Sequence, residues 1–139
     1  MLEILSRSTY IPVFTAHPTE ARRRVIMGLL NQIYLREGRL FEPGSDNEVL
    51  VVEEFAKAHR MQPGDKLSAT INGRRKTLTI VGIALSPEYI YQIAPGAMFP
   101  DHKRYGVFWM ARKPLATAYD MEGAFNDVTL KTIDGVNVD

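Results

Sequence analysis

The sequence predicts an α+β fold: a small mixed, mainly antiparallel sheet or partial barrel, with one longer N-terminal amphipathic helix and two short helices. Three observations carry that expectation. Lys66 to Ile71 alternates Leu67, Ala69 and Ile71 with Lys66, Ser68 and Thr70, the period-two signature of a half-buried strand. Asn72-Gly73 then separates this run from Arg74 to Leu85, which is the strongest short-range hairpin signal because both central residues of a type I′ turn need positive φ. Val25, Ile26, Leu29, Leu30 and Ile33 recur at spacings of three to four, which draws a core stripe along one helical face.

The other elements follow in chain order. Ile11-Pro12-Val13-Phe14 reads as a short extended run, after which Thr15 or Thr19 caps the helix, with Pro18 in its first turn and Glu20 near the positive end of its dipole. Pro43 to Asn47 is a turn cluster and must be loop, and residues 28–35 ahead of it are left open between helix and strand. Glu48 to Val52 is a β-branched strand that runs directly into a short helix, EEFAKAH, stopped by Met61-Gln62-Pro63-Gly64-Asp65. Gly82 marks a bend in the long strand Arg74 to Leu85. Ser86 to Arg104, with Pro87, Pro95, Gly96 and Pro100 among Tyr89, Ile90, Tyr91 and Ile93, reads as an ordered excursion packed by aromatics. Tyr105 to Met110 is a further strand, Pro114 to Tyr119 a short helix and Asp127 to Ile133 a final strand.

At 139 residues the chain makes a single domain, 1–139. Apolar residues at 45% and charged residues at 24% place it among globular chains and exclude a disordered or fibrous one. A net charge of +1 supplies no long-range field toward nucleic acid or anionic lipid as a whole, so no nucleic-acid partner is expected. No apolar run reaches the roughly 18 residues of a membrane helix, and MLEILSRSTY lacks the basic start and apolar centre of a secretion signal, so the chain as given is expected to be soluble. The absence of cysteine excludes a disulfide scaffold and leaves the compartment open.

Two strings carry resemblances. "YLREGRLFEPGSDNEVLVVEEFAKAHRMQPGDKLSATINGRRKTLTIVGIALSPEYIY", followed by "YGVFWMARKPLATAYDMEGAFNDVTLK", orders an EGR turn, an acidic loop, a strand, a short helix, a PGD turn, an NGR hairpin and IVGIALSPEY. In that order and spacing, residues 30–133 resemble the extracytoplasmic (periplasmic core) domain of FtsX-like and MacB-like ABC transporter permeases, the long loop between the first two membrane helices. The resemblance implies a non-enzymatic mixed α/β module on the extracytoplasmic side of the cell membrane. It would contact a protein partner or transported substrate, transmit force from nucleotide hydrolysis elsewhere, and meet the membrane only through helices outside this chain. It implies no cofactor.

"VFTAHPTEARRR", within residues 11–29, resembles the TAHPTE signature of phosphoenolpyruvate carboxylase. That resemblance implies a catalytic role for His17, with magnesium, phosphoenolpyruvate and bicarbonate as the chemistry of the whole enzyme. The carboxylate pair, phosphate-binding arginines and glycine-rich loop of such an enzyme do not follow in the sequence. The chain therefore reads as a chimera, a carboxylase-like segment (1–29) ahead of a permease-like module (30–139), or as a hybrid with no evolved function.

The residues themselves weigh against chemistry. Glu20 lies near His17, and an unperturbed imidazole suits acid–base catalysis in general, but a site needs convergent groups that the sequence does not show. Arg22, Arg23 and Arg24 point about 100° apart on a helix and cannot face one anion together. His17, His59 and His102 form no pair at helical ligand spacing, so no metal site is expected. GRRK at Gly73 to Lys76 and DHKR at Asp101 to Arg104 read as solvated charge. Tyr89, Tyr91, Phe99, Tyr105, Phe108 and Trp109 offer a contact surface, with half or more of them expected in the core; Tyr89 and Tyr91 are the candidate binding residues.

Overall fold

A computed structural model of the chain describes residues 11–17, 33–42, 44–94 and 96–122, the first of these segments as backbone only. The strands are β1 (Ile11–His17), β2 (Tyr34–Gly38), β3 (Glu48–Val52), β4 (Lys66–Ile71), β5 (Arg74–Leu85) and β6 (Tyr105–Ala111); the helices are α1 (Glu53–His59) and α2 (Arg112–Ala118). They make a six-stranded sheet in the order β1-β6-β3-β5-β2, with β4 also paired to β5. Three of the five pairings are antiparallel, β2–β5, β3–β6 and β4–β5, while β1–β6 and β3–β5 are parallel. The α+β expectation of a small, mainly antiparallel sheet with two short helices is met. The longer N-terminal helix and the strand over 127–133 lie outside the described residues.

β5 organises the sheet because it is twelve residues long and is shared by three neighbours. Its first half pairs β4 from Arg74 to Thr79, and its second half pairs β2 from Gly82 to Leu85. Thr79 pairs with both Lys66 and Glu48, so β3 occupies the opposite edge, and β2 and β4 lie in tandem along one side. Around Gly82, where a bend is expected, the strand pairing is irregular. The β3–β5 register slips between Val49 and Leu50 and the β2–β5 register between Leu35 and Glu37, both beside Gly82. Such bulges add local twist and let one strand serve partners along two directions.

Turn chemistry behaves locally as read. Asn72 and Gly73 take φ of 48° and 74°, the type I′ geometry. Gly64 takes φ 102° after Pro63, and the turn is closed by Asp65, whose Oδ2 accepts the Gln62 N–H at 2.8 Å. α1 covers EEFAKAH as read and ends at His59, because Arg60 adopts φ 56° and the Met61 N–H reaches the Ala56 carbonyl at 2.9 Å, a Schellman-type close. α2 begins at Arg112, so Pro114 sits inside its first turn.

The region left open between helix and strand becomes β2 from Tyr34 onward. Ile33, counted on the helical stripe, lies in neither a helix nor a strand; it is half-buried against the core, directly ahead of the residue that pairs with Leu85. Strand pairing overrides the helical spacing there.

The core lies on both faces of the central strands, and β6 is buried at every position. Alternation and register place Gly106, Phe108, Val51, Met110 and Val49 on the face covered by α1, and Trp109 and Leu50 on the other. Phe55 of α1 meets Phe108 edge-on, with centroids 5.2 Å apart.

Candidate functional site

Ser86 to Arg104 joins the end of β5 to the start of β6, opened by a single 3₁₀ turn at Pro87–Tyr89. Its base is fixed on both faces of the sheet. On one face, the Tyr89 ring meets Trp109 edge-on at 6.2 Å. On the other, buried Gln92 directs Nε2 toward Glu54 of α1 at 3.5 Å, and His59 Nε2 lies 3.0 Å from the Lys103 carbonyl oxygen. The His59 ring is itself held against Phe55, with centroids 4.3 Å apart. At the return, the Asp101 carbonyl accepts the N–H groups of Arg104 and Tyr105, and its carboxylate accepts that of Lys103.

With the base secured, the tip turns outward. Ile90, Tyr91, Met98 and Phe99 are 69%, 83%, 84% and 75% exposed, and Ile93 is 38% exposed. Single exposed apolar residues are ordinary, whereas here five lie within ten residues of one anchored segment. The two candidate binding residues thus part company: Tyr91 projects into solvent, while Tyr89 is half-buried against the core. Of the other aromatics, Tyr105, Phe108 and Trp109 are core, as expected for half or more of them. Phe99, one of the aromatics offered as a contact surface, is exposed, whereas the exposure of Ile90 and Met98 carries no sequence signal beyond their place among prolines and glycine.

His17 is the last residue of β1, its backbone opposite Ala111, and its side chain, Glu20 and Arg22 to Arg24 lie outside the described residues. Among the described residues, no group of three or more His, Asp or Glu could hold a metal ion. Within the basic hairpin, Arg75 Nε donates to Ser68 Oγ at 2.8 Å and Arg74 lies 4.0 Å from Asp120, so both cations have partners. A cleft of about 190 Å³ between β2 and α1 is lined by Glu37, Glu53, Lys57, Arg60 and Ile83 among others. That is below the roughly 300–1,000 Å³ of ligand pockets, and Lys57 already pairs with Glu53 at 2.8 Å.

Two carboxylates, Glu48 and Glu53, are held by cationic partners. The Arg39 guanidinium forks onto both oxygens of Glu48, with Nη1 3.1 Å from Oε2, and the Glu42 N–H donates to the same oxygen at 2.8 Å. These donors hold the Glu48 carboxyl below the usual carboxylate range, the Arg39 hydrogen bond contributing most and partial burial opposing it. The Glu53 carboxyl is lowered in the same direction, by Lys57 first and then by Arg36.

A lowered folded pKa means that stability is fully present above the unfolded value and is lost as pH falls through the folded one. Urea midpoints are therefore expected to hold from pH 7 to about 5 and to decline below about 4.5. Glu48→Gln is expected to lower the midpoint at pH 7 and to shallow that acid decline. An acid decline as steep in the variant as in the parent would show that the clamp does not contribute.

Among the described residues, no helix is long and apolar enough to cross a membrane. No family model, curated protein or solved structure matches the chain.

Proposed function

We propose that residues 30–133 form a non-enzymatic extracytoplasmic module of an FtsX-like or MacB-like ABC transporter permease, with the Ser86 to Arg104 excursion as its contact surface. The observation that carries the reading is the anchored base and outward apolar tip of that excursion, a form suited to contact and to mechanical transmission. The order of elements supports it as well. The acidic loop, β3, α1, the PGD turn, the NG hairpin, β5 and the SPEY turn stand as consecutive structural units in the order of the resemblance.

The deciding experiment is Tyr91→Ala in the complete permease. Transport is expected to fall severalfold while expression and the unfolding transition of the module stay unchanged, because Tyr91 contributes little to the core at 83% exposure. Unchanged transport overturns the reading. Tyr89→Ala is the contrasting variant: it removes the ring set against Trp109 and is expected to destabilise the fold by about 1 kcal/mol or more. The carboxylase-like alternative is decided separately, since millimolar phosphoenolpyruvate with magnesium should shift the His17 imidazole resonances if that chemistry survives here.

A further inference from the structure

The cleft between β2 and the end of α1 has an apolar floor and charged walls. Ala56, Met61 and Ile83 line it and are buried. Glu37 pairs with Ile83 in the β2–β5 register, so the two side chains leave the sheet on the same face. Val51, on the face covered by α1, pairs with Ile83 from the other side, which puts Glu37 on the face that carries the helix. At the opposite wall, Arg60 leaves α1 in the left-handed conformation, with Gln62 beside it in the lining.

Four charged side chains line this space, and only Glu53 and Lys57 are matched to each other. Glu53 takes Lys57 at 2.8 Å and Arg36 at 3.6 Å. Glu37 and Arg60 are exposed and enter no ion pair among the described residues, either together or with a third group. A carboxylate and a guanidinium thus border one small cleft without meeting. A molecule that carries both charges would satisfy both.

The lining also limits what that molecule is. Two carboxylates and two cations leave the cleft without net charge, which suits neither a simple anion nor a simple cation. Its volume excludes nucleotides and other ligands that fill pockets of roughly 300 Å³ or more. A dry cavity of about 150 Å³ takes benzene, so about 190 Å³ holds roughly six to eight non-hydrogen atoms. A zwitterion of that size with a short apolar side chain meets each demand. The guanidinium forks onto its carboxylate, the Glu37 carboxylate accepts from its ammonium, and the floor takes the aliphatic part.

We propose that this cleft is a binding site for a small aliphatic α-amino acid, with Arg60 on the ligand carboxylate and Glu37 on its ammonium. Both polar contacts lie at the surface, so the affinity is expected in the millimolar range and falls as salt is raised. The test is a titration of the 139-residue chain with L-valine, followed through the amide proton and nitrogen resonances. Saturating shifts are expected at Glu37, Arg60, Met61 and Gln62. Isovalerate lacks the ammonium and isobutylamine lacks the carboxylate, and each is expected to bind at least tenfold more weakly than valine. Arg60→Gln and Glu37→Gln are each expected to weaken valine binding at least tenfold, with the urea midpoint unchanged because both residues are exposed.

Shifts that rise with valine without saturating overturn the proposal. Isovalerate that binds as tightly as valine overturns it in favour of an anion site, and isobutylamine that does so overturns it in favour of a cation site. Valine affinity untouched by both substitutions puts the ligand elsewhere on the chain and removes the cleft. Transport does not enter this readout, so the permease reading stands or fails separately on Tyr91→Ala.

Discussion

Phe55→Ala is expected to lower the unfolding free energy by about 3–5 kcal/mol, the range for deleting a buried phenyl ring. Phe55 is 1% exposed and stands between α1 and β6, edge-on to Phe108 and beneath the His59 ring. The ring reaches the sheet because residue 106 has no side chain, and a Cβ there would lie 2.6 Å from Phe55 Cγ. Removing the ring leaves a cavity that a single helix of seven residues is too short to close by shifting, since only Phe55 and Ala56 of α1 are buried. Against a total stability of roughly 5–15 kcal/mol, that is a large share of the margin.

The packing account makes a sharper demand than the size of one loss. Gly106→Ala is expected to cost about 1–3 kcal/mol in the parent, because the new methyl group meets the ring. In the Phe55→Ala background the same methyl group enters vacated space, and its cost should fall close to zero or change sign. Urea denaturation of the four proteins in that cycle measures the coupling. Costs that simply add would show that Gly106 is not the seat of the Phe55 ring.

Gly38→Ala carries the second large effect, expected at about 3 kcal/mol or more. Gly38 takes φ 75° where β2 ends, opposite Gly82, and a Cβ would overlap the Val81 carbonyl oxygen while lying 2.9 Å from the Gly82 Cα. These are backbone atoms of a buried strand and cannot rotate away. The same Val81 carbonyl accepts the Arg39 N–H at 2.9 Å, so displacement of either strand also breaks a hydrogen bond. Gly82 makes the reciprocal demand, because its own Cβ would lie 2.6 Å from the Arg39 carbonyl oxygen.

Gly44 separates the two causes. It has φ 83° but nothing within 4 Å of an added Cβ, so Gly44→Ala isolates the left-handed backbone penalty of about 1 kcal/mol. Thermal unfolding of both variants decides the point. Equal shifts in Tm would mean that close approach of β2 and β5 adds nothing to the cost at Gly38.

By itself the sequence determined what depends on neighbours along the chain. Alternation in Lys66 to Ile71, positive φ at Asn72-Gly73, the Pro63-Gly64 turn and the β-branched run before EEFAKAH are short-range preferences, and each appears where it was read. Only the tertiary structure decided which edges pair: two parallel pairings, β2 and β4 in tandem on one side of β5, and Tyr34 drawn into a strand beside a run with helical spacing. Those outcomes follow from hydrogen bonds and burial between residues distant in sequence, such as Tyr34 with Leu85 and Ile11 with Tyr105, which no local pattern encodes. The same limit applies at the candidate site. Tyr89 and Tyr91 are two residues apart and chemically identical, and only the position of Trp109 across the sheet makes one a support and leaves the other exposed for contact.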